Sequence, residues 1–449
     1  MKKSWSAHAS ANLPRYTSYP TAADFSDEVT AELVEGWVAE LPDGKPISVY
    51  SHIPFCDQLC WYCGCATNVA NGYDRVERFV GTLKAETGLW RDRLPTGTGI
   101  GHLHFGGGSP NALSPRDFEE ISAKIKSVFG VWPDMEFGVE LDPRKLTDDF
   151  IEAMGRSGVT RASLGVQTLS PVVQAAVNRV QPRWKVSGAI ASLRRNGIRN
   201  INMDLMYGLP HQTLDDIREA AVYAVDVGTS RVAVFGYAHV PWFAKHQRAI
   251  DASALPGLSE RFAQAQAARE VFEAAGYVPV GLDHFARPDD LLAEAARTGH
   301  LHRNFQGYTV DPHDTLIGLG PSSISQFRAG FAQSHRQLKD WQEAVEAEQL
   351  PITRGITLSD ADRLVGRAIE VLMCRLSIDT SEVCAEFGIP ASELDFAIER
   401  AQTLVADGLC TIEGRTISIP EDARIMMRTV AACFDIRRQH TATRHATAV

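Results

Sequence analysis

With 449 residues, 44% hydrophobic and 22% charged, the chain has the composition of a globular protein of about two or three domains. A formal charge of −10 argues against a nucleic-acid partner, which draws on clustered cations, so a polyanionic ligand would have to be met by local arginines and lysines. No apolar run reaches membrane-spanning length, and the polar stretch 4–12 behind Lys2 and Lys3 is no signal-peptide core. The expected compartment is a reducing cytoplasm, where free thiols persist.

Residues 1–35 begin polar and then carry the proline- and tyrosine-rich segment 14–20, which composition alone reads as a frayed terminus. A first helix is predicted over 27–41. Residues 47–52 read as a β-branched strand, entered from Pro46 and leading straight into a loop that holds Cys56, Cys60, Cys63 and Cys65. This order places four thiols at the carboxyl end of a first strand, where parallel α/β barrels keep their chemistry. Helical spacing over 73–90 puts Val76, Phe79, Val80 and Leu83 on one face. A second strand, 102–105, ends in Gly106, Gly107 and Gly108, which let backbone approach a ligand without Cβ clashes. The pattern is not G-x-G-x-x-G, so nothing asks for a nicotinamide.

The same unit then repeats. Strands are predicted at 135–141, 161–167, 201–206 and 231–237, with helices at 116–129, 147–157, 183–196 and 214–227. Such alternation predicts parallel βαβ units. Six units make an open, partial (β/α)6 barrel, with a complete eight-fold barrel as the runner-up. Beyond residue 251 the pattern loosens into a helix at 260–274, an apolar run at 277–282 and polar, aromatic loops at 284–287 and 302–308. A tight glycine segment follows at 318–324. From 358 the order of helices 360–374, 381–387 and 392–406, a hairpin around Gly414 and a helix 421–434 reads as winged-helix-like. The helix at the recognition position carries Glu393, Asp395, Glu399 and Asp407 against Arg400, which excludes the DNA-binding version and leaves a lid or packing domain. The tail after Asp435 is polar and basic and is expected to be disordered. The chain therefore divides into an arm (1–35), a barrel domain with an extension (36–357) and a helical C-terminal domain (358–449).

In the cysteine loop, the C-x3-C-x2-C spacing is too tight for disulfides and converges three thiolates on one point. Iron–sulfur clusters are held by such thiolates, and a set of three leaves one iron open. A closed four-cysteine zinc knot is the alternative.

The aromatic Tyr62 before the third cysteine makes the loop resemble the radical S-adenosylmethionine superfamily. With Pro14-Arg15-Tyr16-Thr17-Ser18-Tyr19-Pro20-Thr21, Tyr50-Ser51-His52-Ile53-Pro54-Phe55-Cys56 and Cys63-Gly64-Cys65, the chain resembles the oxygen-independent coproporphyrinogen III oxidases from about residue 14 to about 434. The resemblance implies a partial (β/α)6 radical-SAM barrel with an N-terminal arm and a mostly helical, winged-helix-like C-terminal domain. It implies one 4Fe–4S cluster on Cys56, Cys60 and Cys63, and two molecules of S-adenosylmethionine. Cys65 is then a non-ligand acting near substrate, Tyr62 stacks on cofactor where the family commonly has Phe, and His52 orients the loop. Tyr50, Tyr62, Gly107, Glu140 and Ile324 match the first cofactor site. Gly108, Ser109, Gln167, Arg179, Asp204 and Ala238 match the second, with Ser109 where the family usually has Thr. Arg15 and Tyr16 are implied substrate contacts. The implied partners are a porphyrinogen and an unidentified electron donor, with no nucleic acid, no membrane span and a monomeric chain. Haem-carrier relatives of the same scaffold commonly carry Phe at the position of Cys65 and lack the Pro-Arg-Tyr arm, so that reading ranks below the oxidase.

Overall fold

The computed structural model describes residues 2–438. They form two compact units: Phe25–Asp204 with His313–Thr357, and the N-terminal residues to Asp24 with Leu205–Pro312 and the chain from Leu358. Six strands recur along the chain: β1 (Pro46–Ile53), β2 (Gly99–Gly107), β3 (Val131–Leu141), β4 (Arg161–Gln167), β5 (Asn200–Tyr207) and β6 (Arg231–Gly236). Between them run α1 (Asp74–Arg91), α2 (Pro115–Phe129), α3 (Asp148–Arg156), α4 (Arg183–Arg195) and α5 (Leu214–Asp226).

The helices start where local chemistry allows. Ser114 accepts from the Asp117 amide with Pro115 at the first helical position, and Thr147 accepts from the Phe150 amide. Thr213 and Asp216 form a reciprocal capping box. Gly130, at φ +77, ends α2 in a positive-φ conformation that costs a glycine little.

In the first unit the strand order is Ile352–Thr357, Gly330–Ser334, Ile324–Phe327, Leu316–Leu319, β1, β2, β3, β4, β5. β1 pairs in parallel with β2 and with Leu316–Leu319, β2 with β3, and β3 with β4. The order is linear, and no closed eight-fold barrel forms. The segment 318–324, read as a glycine turn, instead supplies a parallel strand and the turn into an antiparallel extension. Beneath β2 and β3, Phe105, Phe118, Phe137 and Phe150 interlock with ring centroids 5.0 to 6.1 Å apart, all essentially buried.

In the second unit β6 pairs antiparallel with His284–Ala286, which pairs antiparallel with Val278–Val280. Its core corrects the composition-based view of the arm. Trp5, Ala9, Leu13, Tyr16 and Tyr19 are buried in one cluster with Leu372, Ile417 and Phe434. The phenols of Tyr16 and Tyr19 donate to the two oxygens of Asp435, at 2.9 and 3.2 Å. The arm is therefore part of a hydrophobic core and not a frayed end. The C-terminal segment carries helices Asp360–Arg375 and Thr380–Glu386, the hairpin Thr411–Glu413 with Thr416–Ser418, and Ser377–Asp379 as a third strand. The predicted last helix is shorter than expected, a 3-10 turn (Glu421–Met426) followed by Met427–Ala431. Of the tail expected to be disordered, residues 439–449 lie outside the described residues.

Candidate active site

Strand β1 delivers Tyr50 and His52 to the cysteine loop. The His52 ring lies 2.9 Å (Nε2) from the Ala66 carbonyl and 3.1 Å (Nδ1) from the Tyr50 hydroxyl. A carbonyl only accepts, so Nε2 carries the proton and the phenol donates to Nδ1. Burial lowers the pKa of His52 and favours this neutral form. His52 thus ties both ends of the loop together, as a positioning group would. A short parallel pairing of Phe55–Cys56 with Asn68–Val69 closes the base.

The loop is pinned from outside by groups after β3 and β4. Gln58 donates to the Asn178 side chain (2.7 Å), Asn178 donates to the Leu59 carbonyl (2.9 Å), and the Trp61 amide reaches the Val177 carbonyl (3.0 Å). Each of three thiols then faces a donor. Thr67 Oγ1 lies 3.2 Å from Cys56 Sγ, and the Cys65 amide lies 3.4 Å from Cys63 Sγ. Cys60 Sγ receives two guanidinium N–H groups, from Arg144 and Arg179, both at 3.3 Å. Burial, reinforced by the neighbouring Cys63 and Cys60, pushes the Cys56 thiol up to about 11 despite the Thr67 hydroxyl. Such thiols ionise on binding a cation.

Asp142, just past β3, balances the two arginines. Arg144 Nη2 lies 2.6 Å and Arg179 Nη2 3.3 Å from its oxygens. Burial would raise this carboxyl, but Arg179 and Arg144 outweigh it and hold it below the usual carboxylate range. Asp142 and Arg144 were not expected from the sequence. Their one signal is an acidic residue directly after a strand.

Glycines at the end of β2 pack against the same loop. A Cβ on Gly107, at φ +107, would lie 2.5 Å from the His52 ring, and one on Gly108 would lie 2.5 Å from the Phe55 carbonyl. The Gly107 amide donates to Glu140 (3.2 Å), and His104, also missed by the sequence reading, lies 3.2 Å from the same carboxylate. Burial opposes ionisation of Glu140, yet His104 and the Gly107 amide keep its pKa below the ordinary value. The His104 ring stacks on Tyr50 at 6.0 Å.

The remaining expected residues fall in two groups. Ser109 donates to Asn111 (2.6 Å), which holds the Asp142 backbone. Asp204 accepts from Ser163 (3.0 Å) and Asn202 (2.8 Å). Gln167 ends β4 at φ +67, and its buried Oε1 has no hydrogen-bond partner. A strained backbone with an orphaned acceptor suits a ligand contact. Tyr62 lies beside Cys60 and Arg179, and burial raises its phenol well above the ordinary value. Ile324 is brought to β1 through Gly318, which sits opposite Tyr50 and packs on the Ile324 backbone. Ala238 belongs to the second unit, where it lines a cavity with Arg15. Tyr16 is buried with its hydroxyl committed to Asp435, while Arg15 is exposed and donates to the Gly236 carbonyl at 3.2 Å.

The donor set fits an iron–sulfur cluster. Three thiols on one loop face guanidinium, hydroxyl and amide donors respectively at Cys60, Cys56 and Cys63, and Cys65 is exposed. Among the described residues no three His, Cys, Asp or Glu side chains are gathered closely enough for a single metal ion. A cluster of several irons spreads its ligands over a wider shell than one ion.

A parallel sheet with a C-x3-C-x2-C loop at the end of its first strand defines a radical SAM enzyme, and residues 50–224 match the Radical SAM superfamily. The chain is 43% identical over 427 residues to the oxygen-independent coproporphyrinogen III oxidase of Bradyrhizobium diazoefficiens, covering 94% of each chain. It is 42% identical to the enzyme of the same name from Cereibacter sphaeroides, covering 95% of this chain and 94% of that one. The solved coproporphyrinogen III oxidase of Escherichia coli, described as a radical SAM enzyme, superposes with a TM-score of 0.89 at 31% identity, over 95% of this chain and all of that one. The chain belongs to the oxygen-independent coproporphyrinogen III oxidase family. It oxidises coproporphyrinogen without oxygen, using a 4Fe–4S cluster and S-adenosylmethionine. Among the described residues no helix is long and apolar enough to cross a membrane.

Proposed function

We propose that Cys56, Cys60 and Cys63 hold the cluster and that Cys65 stays free of it. One observation carries this reading: Cys60 Sγ sits between the two buried guanidiniums of Arg144 and Arg179. Charge-assisted donors of this kind stabilise a thiolate and tune a cluster it ligates. With cluster and S-adenosylmethionine in place, their chemistry supplies a 5′-deoxyadenosyl radical. His52 fixes the loop, Tyr50 and Tyr62 offer flat faces to the cofactor, and Glu140, kept ionised by His104 and the Gly107 amide, offers acceptor oxygens to an amino group. Gly107 and Ile324 complete this first cofactor site.

A second S-adenosylmethionine is assigned to Gly108, Ser109, Gln167, Arg179, Asp204 and Ala238, supported by the orphaned Gln167 oxygen. Asp204 suits ribose hydroxyls because a carboxylate accepts at both oxygens. Arg15, anchored through buried Tyr16, meets a substrate carboxylate, and Cys65 lies near the reacting side chain. In each of two turnovers a propionate β-carbon would give up one hydrogen atom, which ends in 5′-deoxyadenosine, and release of carbon dioxide would pass one further electron to an external one-electron acceptor. A vinyl group remains, and the final product is protoporphyrinogen IX. We further assign the enzyme to the cytoplasm as a monomer that takes its electron from a separate donor, and divide the chain at about 35 and 357 into arm, barrel and C-terminal domain.

The test is anaerobic incubation of the reconstituted protein with reductant, S-adenosylmethionine and coproporphyrinogen III. Protoporphyrinogen and 5′-deoxyadenosine should both appear. Formation of 5′-deoxyadenosine alone, with coproporphyrinogen recovered unchanged, would refute the decarboxylation.

A further inference from the structure

The second unit holds a cavity whose walls combine the arm, the end of β6, the helix Leu258–Ala274, the segments 282–285 and 303–307, and the turn Glu421–Met426 with Arg428 just after it. Six arginines reach it (Arg15, Arg261, Arg269, Arg303, Arg424 and Arg428), against the carboxylates of Asp283, Glu421 and Asp422. The charges are not evenly matched. Arg269 pairs with Glu273 (2.7 Å) and Glu421 (2.8 Å), and Arg424 pairs with Glu421 (2.7 Å). Asp283 is engaged by His284 at 2.8 Å and attracts Arg303 and Arg15 only from beyond ion-pair distance.

Arg15, Arg261 and Arg303 are held differently. Arg15 donates to the Gly236 carbonyl (3.2 Å), Arg261 to the Tyr237 carbonyl (2.8 Å), and Arg303 to the carbonyls of Tyr16 (3.1 Å) and Arg15 (3.3 Å). All these acceptors are neutral, and among the described residues no carboxylate lies within ion-pair distance of the three. Arg261 Nε and Arg303 Nη1 are moreover buried without any hydrogen-bond partner. The Arg303 guanidinium is fixed over the Tyr308 ring at 4.3 Å, and that of Arg261 lies 5.7 Å from the Tyr207 ring. Fixed, partly desolvated forks with donors to spare recognise planar carboxylates.

We propose that Arg261 and Arg303, with Arg15 at the mouth, form a carboxylate-binding subsite that holds propionate side chains of the porphyrinogen. This rests on the substrate reading above and assigns it residues that no motif marks. Burial and repulsion from Arg15 lower the pKa of Arg428 on the same wall to about 10 and depress that of Arg261 as well, as expected of cations gathered for an anion. A guanidinium stays charged at neutral pH, so the excess is relieved by a ligand's charge and not by losing a proton.

The experiment is a fluorescence titration of the full-length protein with coproporphyrin III, the oxidised and stable form of the substrate, and with its tetramethyl ester. Wild type should bind the free acid about tenfold or more tightly than the ester, and raised salt should narrow the gap. Arg261→Gln and Arg303→Gln should each weaken the acid about tenfold and leave the ester unchanged. Arg269→Gln, whose guanidinium is already matched by carboxylates, should change neither by more than about twofold. Cofactor cleavage without substrate should persist in all three. Equal wild-type affinity for acid and ester would overturn the subsite even if a variant failed to fold. No binding of either porphyrin by wild type would instead overturn the substrate reading beneath it.

Discussion

Around Cys60 two buried guanidiniums, Arg144 and Arg179, share the carboxylate of Asp142, whereas in the cavity of the second unit Arg15, Arg261 and Arg303 rest on carbonyl oxygens alone. Both regions bring arginines together, and the difference lies in who balances them. A permanent guest such as a cluster needs its surroundings assembled before it arrives, so the protein carries the counter-charge itself. A transient polyanion brings its own. A cavity that had already matched every arginine would offer such a ligand nothing to gain.

The sharpest way to break this comparison is at the thiols. Cys60→Ser should abolish the iron, the sulfide and the visible cluster band, and with them all activity, while Cys65→Ser should keep the cluster. Iron and sulfide analysis of the two reconstituted variants decides it. Equal loss in both would make Cys65 a ligand and return the closed four-cysteine site. A smaller effect is expected from Asp142→Asn, which keeps the shape but takes from two guanidiniums the carboxylate they share. Asp142 is 14% exposed and its partners 8% and 7%, so about 3–5 kcal/mol of stability should go, read by chemical denaturation. Arg261→Gln, which removes an unmatched cation, should cost much less. Comparable losses in the two variants would erase the distinction between the regions.

Much of this arrangement is legible in the sequence, and its limits have physical causes. Each of the six recurrent strands lies where alternation and apolar runs placed it, because a two-residue period survives in the chain whatever packs against it. The parallel strand Leu316–Leu319 escaped, since four residues containing Gly318 carry too little periodicity to separate a strand from a turn. The arm escaped composition because Trp5, Leu13 and Tyr16 are single apolar residues among polar ones, and only the cluster around Phe434 shows what they bury against. At the thiols, local spacing marks the cysteines, while His104 and Arg144 act across strands, and the acidic residue after β3 is the one local trace of their surroundings. Arg261 and Arg303 are separated by more than forty positions and lie in no motif. Their meaning appears only when the fold brings both to one cavity.

The smallest predicted effect comes from a third way of treating a buried charge. Glu86 on α1 is 1% exposed, accepts the Gly320 amide at 2.7 Å through Oε2, and has no hydrogen-bond partner for Oε1. No cation is paired with it among the described residues. Burial pushes its carboxyl up to about 8, only partly offset by the Gly320 amide and the nearby Trp341 indole N–H, so at neutral pH the folded protein keeps it protonated. Between the ordinary value of about 4.5 and about 8 the folded chain therefore holds a proton that the unfolded chain has lost. Stability from this group falls as pH rises through that window and levels off above it. Glu86→Gln, neutral at every pH, should flatten that slope and stabilise the protein by about 1–3 kcal/mol at pH 8 relative to wild type, with little difference near pH 5. Denaturation midpoints of both proteins across this range are the measurement, and parallel curves would show that Glu86 is ionised in the fold. The result bears on the arginines. A carboxyl left alone in the interior escapes its charge by taking up a proton, and Arg261 and Arg303 have no such escape near neutral pH. A carboxylate from outside is what remains to them.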